Sequence, residues 1–106
     1  MKHVRVTRDA ELDLDETWLY IAQDNMDAAI RFIDELTCRF PLLATAPRLG
    51  RSREDLMPGL RSHVFGAYVI YYRQARAGGT ILRVSHGARD PRRIFATVNA
   101  NRAPHS

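Results

Sequence analysis

The sequence predicts an α+β fold: a helical hairpin packed on one face of a mainly antiparallel sheet, in the order β-α-α-β-β-β. Three observations carry that prediction. Apolar residues recur at helical spacing from Ala10 to Leu43 with one short break. Runs of β-branched and aromatic residues follow, separated by glycine-containing turns. No repeat, low-complexity tract or internal linker divides the 106 residues, 45% of which are hydrophobic. One domain over residues 1–98 with a loose tail over 99–106 is the simplest organisation, and such a chain can bury a core of its own.

The elements follow in order. His3 to Val6 alternates and is β-branched, so it reads as a first strand. Thr7 or Asp9 caps a helix, and Asp9, Glu11 and Asp13 suit its positive end. Ala10, Leu14, Trp18 and Ile21 form its apolar stripe, while Leu12 and Leu19 lie on a second face. Asp24-Asn25 interrupts the pattern, and Asp27 is a cap for a second helix. The second stripe runs Met26, Ala29, Ile30, Ile33, Leu36, Phe40, Leu43. Helices joined by so short a break fold back as a hairpin. Pro41 predicts either a kink or a stop near Arg39 with a restart at Pro41. Pro47 to Gly59, with two prolines and two glycines, reads as a surface loop. Leu60 to Val64 is a strand, Phe65-Gly66-Ala67 a tight turn, and Tyr68 to Arg73 the strongest strand signal in the chain. Ala77-Gly78-Gly79 is expected to be a hairpin turn and Thr80 to His86 the returning strand.

Composition narrows the function classes. Cys38 is the one cysteine, so no internal disulfide forms, and it has no activating neighbour nearby. Met1 to Val6 lacks a leader-like apolar run, and no stretch is long enough to cross a membrane, so the expected location is the cytoplasm. The histidines show no ligand spacing, and no phosphate-binding glycine loop is present, so neither metal nor cofactor is expected. The net charge is +4 and unevenly spread. Up to Glu35 there are nine acidic and four basic residues; after it, three acidic and twelve basic. Lys2 is the only lysine. An arginine-rich surface implies an anionic partner, either acidic protein or nucleic acid, or else a solvated face.

Several stretches together resemble a known family. Pro47 to Arg53, then Leu56 and Pro58-Gly59-Leu60-Arg61, are similar to the loop and following strand of ParE-type toxins. So is Gly66 to Arg73. Ile81 to Asp90 resembles the family's closing strand and its His-Gly-x-Arg-Asp ending, and Ala10, Asp13-Leu14 and Trp18 to Ile21 fit its helices. The resemblance spans residues 3 to 95. It implies the RelE/ParE-like fold and a growth-inhibiting toxin of a type II toxin–antitoxin (plasmid stabilisation) system, held in a complex by a cognate antitoxin protein. The ParE branch implies DNA gyrase as target; the RelE branch implies ribosome-dependent mRNA cleavage. A third possibility is a relative that has lost activity and survives as a binding module.

RNA cleavage without a metal needs a base, an acid and cations around the phosphorus. The positions that are basic in RelE-like enzymes read Leu60, Ser62 and Val69 here, and the terminal aromatic position falls on Phe95, which has no hydroxyl. The expectation is therefore a protein-binding toxin without catalysis and without sequence-specific nucleic-acid binding. Arg61, Arg83, His86 and Arg89 are the candidate catalytic set if the enzyme reading holds. For target contact the candidates are Arg89, Arg92, Arg93 and Phe95. For the antitoxin they are Leu12, Leu19 and Tyr71, unless residues 91–106 fold back over the second sheet face. Arg61, Arg73 and Arg83 are expected to gather around Asp90 as a structural cluster, since a buried guanidinium needs a carboxylate.

Overall fold

The computed structural model describes the backbone of residues 3–76 and 78–102, and the side chains of residues 4–76 and 78–96. Strand β1 (His3–Val6) leads into helices α1 (Arg8–Ala22), α2 (Met26–Thr37) and α3 (Arg39–Thr45). A 3-10 turn at Pro47–Leu49 precedes β2 (Arg51–Ser52), β3 (Leu60–Phe65), β4 (Tyr68–Ala75), β5 (Gly78–His86) and α4 (Pro91–Arg102). The sheet order is β1-β5-β4-β3-β2. Only β1 and β5 run parallel among these pairs.

The helices start where short polar side chains can accept. Thr7 Oγ1 accepts from the Ala10 amide at 3.1 Å. For α2 the cap is Asn25, whose Oδ1 accepts from the Ala28 amide at 2.9 Å, and not Asp27, which lies in the first turn and complements the dipole instead. The long second stripe breaks at Cys38, which ends α2 and begins α3. Pro41 is the third residue of α3, where an amide has no partner within its own helix, so the helix stops and restarts around Cys38, with the restart at Arg39 and not at Pro41.

Both sheet faces are covered. On one, Ala10, Leu36, Phe40 and Leu43 from the helices pack against Ile70, Tyr72, Ile81 and Val84. On the other, Ile94 and Phe95 of α4 pack against Met57, Leu60 and Tyr71. A fully buried leucine or isoleucine stabilises the fold by about 1.5–3 kcal/mol relative to exposure. Helix α4 is absent from the order the sequence predicted, and the boundary expected at residue 98 falls inside it; residues 103–106 lie outside the described residues. The two-residue β2 sits within the expected loop.

Gly78 and Gly79 belong to β5 and not to the turn before it. β1 pairs His3 with Gly78 and Val4 with Gly79, which draws both glycines into the sheet. Gly78 has a φ of +146°, open to glycine but rarely to other residues. A side chain on Gly79 would meet Ala44 Cα at 3.1 Å, so α3 can lie directly on the strand only if that position is bare. Gly50 is a second close approach, with the Ser62 carbonyl 2.5 Å from where a Cβ would stand. There the Tyr72 hydroxyl accepts from the Gly50 amide at 2.9 Å and donates to the Pro47 carbonyl.

Candidate functional site

Strand β5 outruns β1, and the site is built where it does. The parallel pairing stops at Val6 and Ile81, leaving Leu82 to His86 without a strand neighbour on that side. Polar groups around α1 complete the edge. The Thr7 amide donates to the Ile81 carbonyl at 3.1 Å, and Thr7 Oγ1 donates to the Leu82 carbonyl at 2.9 Å. One turn on, Asp13 Oδ2 accepts the Val84 amide at 2.9 Å. Arg83 clasps the same carboxylate through both limbs of its guanidinium, at 2.8 and 2.9 Å. That hydrogen bonding raises the Arg83 pKa above its ordinary value against the opposing effect of burial. The buried face of α1 therefore reads Ala10, Asp13, Thr17, while Leu14, Trp18 and Ile21 of the expected stripe are only half-buried.

The expected cluster of Arg61, Arg73 and Arg83 around Asp90 does not form. Register explains why: Arg61 stands opposite Tyr72, whereas Arg83 stands opposite Tyr71, so the two arginines leave the sheet on different faces. Arg61 donates to the carbonyls of Pro47 and Gly50, at 3.0 and 2.8 Å, pinning the loop before β2. Arg73 is exposed and lines a small cavity beside Met57 and Phe95. Asp90 caps α4, its Oδ1 accepting from the Arg92 amide at 3.0 Å. The carboxylate that Arg83 needs comes from Asp13, 70 residues away in sequence.

His86 ends β5 with an exposed ring. Its Nδ1 accepts from the Ala88 amide at 3.0 Å, so the neutral imidazole carries its proton on Nε2. The ring stands edge-on to Tyr68 at 5.3 Å. Arg89, Arg92 and Arg93 are all exposed around the start of α4. A groove of about 670 Å³ opens there, lined by Arg83, Arg89, Asp90 and Arg93. Phe95, expected to touch a target, is 2% exposed and packs edge-on against Tyr71 at 5.1 Å. Tyr71, expected to receive the antitoxin, is itself 3% exposed. Both side chains are spent on the core that seats α4, so neither is available at the surface. Leu12 and Leu19 remain open, 46% and 59% exposed.

Burial pushes the Tyr71 phenol above its ordinary value of 10.0. The folded state thus favours the neutral ring. The associated stability is fully present below the unfolded value and is lost as pH rises through the higher folded one. Tyr71→Phe is expected to shift the alkaline unfolding midpoint upward, read by circular dichroism between about pH 9 and 12. An unchanged midpoint would show that this phenol does not limit alkaline stability.

The fold and this site define a small α+β domain whose closing strand leads into a cluster of exposed arginines around the start of α4. Comparison with known proteins gives that class its family. The model of the ParE toxin of the type II toxin–antitoxin system, parDE, matches residues 4–91. Toxin ParE1 of Caulobacter vibrioides is 32% identical over 93 residues, covering 87% of this chain and 96% of that one. Toxin ParE3 of the same organism is 33% identical over 88 residues, covering 82% and 88%. A solved structure described as "Chromosomal ParDE TA system from P. aeruginosa" matches with a TM-score of 0.68 at 21% identity, covering 81% of this chain and 96% of that one, and shares the fold. The chain belongs to the ParE toxin family of type II toxin–antitoxin systems.

Proposed function

We propose that this chain acts in the cytoplasm as a growth-inhibiting toxin that binds and inhibits DNA gyrase, is neutralised by a cognate antitoxin, and does not cut RNA. The observation that carries the reading is the dispersal of the candidate catalytic set. Arg61 is held by loop carbonyls and Arg83 by Asp13. Of that set only Arg89 shares a groove with His86, one of whose ring nitrogens is committed to a backbone amide; Glu16, Tyr20 and Tyr68 line the same groove. The set therefore does not converge on one point, as a general base, a general acid and a cationic clamp on the phosphorus would have to. Exposed arginines suit a binding surface instead, since they form forked contacts with carboxylates and need no titration.

The antitoxin is placed on the outer face of the hairpin, where Leu12, Leu19, Met26 and Ile30 are exposed. An amphipathic segment that folds on binding would cover them. Two assays run side by side test the proposal. The purified chain is expected to inhibit supercoiling by gyrase and to leave messenger RNA on translating ribosomes intact. Transcript cleavage that disappears in His86→Ala or Arg89→Ala would overturn it. Leu12→Glu with Leu19→Glu is expected to weaken antitoxin capture at least tenfold while gyrase inhibition persists. Undiminished capture would place the antitoxin elsewhere.

A further inference from the structure

A second groove adjoins the arginine groove and shares Arg89 with it. Its volume is about 260 Å³, and its walls include Tyr20 of α1, Tyr68 of β4 and His86 of β5. Tyr20 is 70% exposed, His86 is exposed and Tyr68 half-buried. The T-shaped contact with Tyr68 and the Ala88 amide on Nδ1 fix the orientation of the His86 ring. Three aromatic rings thus stand next to a run of guanidinium groups. The core does not require Tyr20, and the reading of this chain as a protein-binding toxin gives no role to Tyr20 or His86, whereas Tyr68 also packs against Phe32 and the helix-side core.

We propose that the two grooves together form a track for single-stranded nucleic acid, with bases stacking on Tyr20, Tyr68 and His86 and the phosphates passing Arg89 and Arg93. Aromatic plates beside cations are the general recipe for sequence-independent binding of unpaired strands, because every base offers a stacking face. An acidic peptide would use the arginines but gains little from exposed rings. A duplex keeps its base faces stacked inside and would offer only phosphates to a ring groove that Asp13, paired with Arg83, and Glu16 also line. Stacking therefore selects the open strand, and Glu16 disfavours the closed one. The track goes beyond the gyrase proposal and does not depend on it.

The test is fluorescence anisotropy with the full chain alone, so a failure here leaves the gyrase assay untouched. The probes are labelled twelve-residue oligo-deoxythymidylate and oligo-uridylate, a duplex of equal length, and a glutamate peptide as competitor. Both single strands are expected to bind, with log affinity against log salt falling at a slope of about −1.4, as two phosphate contacts imply. Tyr20→Ala and His86→Ala are each expected to weaken binding by roughly 5- to 100-fold while thermal unfolding stays unchanged. Either strand binding better assigns the source as DNA or RNA, and both outcomes support the track. Equal binding of the duplex, displacement by the glutamate peptide at matched charge, or wild-type affinity in both ring variants would overturn it in favour of unselective charge attraction.

Discussion

Asp13→Ala is expected to cost about 3–5 kcal/mol of folding stability, because it strands a charge as well as removing one. Asp13 and Arg83 retain side-chain exposures of 6% and 18%, so the guanidinium left behind could not regain full hydration. The same carboxylate oxygen also accepts the Val84 amide, which would lose this partner on an edge that β1 does not reach. Against the 5–15 kcal/mol that holds a typical domain, this loss is severe; it corresponds to a fall in Tm of roughly 15–30 °C. Asp13→Asn keeps an oxygen for Val84 but loses the ion pair, and should fall between. Pairing Asp13→Ala with Arg83→Met removes the orphaned charge and is expected to recover part of the loss, giving a coupling of at least about 1 kcal/mol. Thermal unfolding of the four proteins reads the cycle. A single Asp13→Ala variant melting within about 3 °C of the parent would show that α1 does not depend on this pair. The Arg83 shift is upward, so the titration of this arginine removes its contribution only as pH rises beyond arginine's ordinary value, and Arg83 itself brings no change near neutrality.

The same pair shows what the sequence could and could not reveal. The helical stripes and the Tyr68–Arg73 strand were legible because burial imposes periods of 3.6 and 2 on the chain. In the sequence Asp13 is legible only as an acid near a helix start, since its role depends on β5 outrunning β1, which is a matter of register. Register also separated Arg61 from Arg83 and freed Asp90 for helix capping. The glycines at 78 and 79 looked like a turn because strand pairing with β1 and the approach of Ala44 are contacts between distant segments. Helix α4 did leave a signal: Asp90-Pro91 is an N-cap followed by proline at the first helical position, with Ile94 and Phe95 on the inward side. With α4 over the second sheet face, Tyr71 and Phe95 pack on each other and not on a partner.

Replacing Arg89, Arg92 and Arg93 together by glutamate is expected to raise the concentration needed to inhibit gyrase by about 10²- to 10³-fold, and to abolish growth inhibition, because complementary surfaces become repulsive. The variant is informative because it should fold. All three side chains are exposed, and Arg92 and Arg93 sit in the first turn of α4, where negative charge complements the helix dipole. A drop in activity with unchanged or slightly higher Tm therefore points to contact and not to unfolding. Antitoxin capture supplies the internal control. It is assigned to Leu12 and Leu19 on α1, neither of which lines the grooves that hold Arg89 and Arg93, so the reversed chain should still be bound. Salt offers a second readout: inhibition by the parent should weaken between about 50 and 200 mM salt, and the residual inhibition by the variant should not. Glutamine at the same three positions removes attraction without adding repulsion, and its effect should lie between the two. If the glutamate variant inhibits gyrase and growth as strongly as the parent, the arginines serve solubility alone, and the target must be held by another face of the domain.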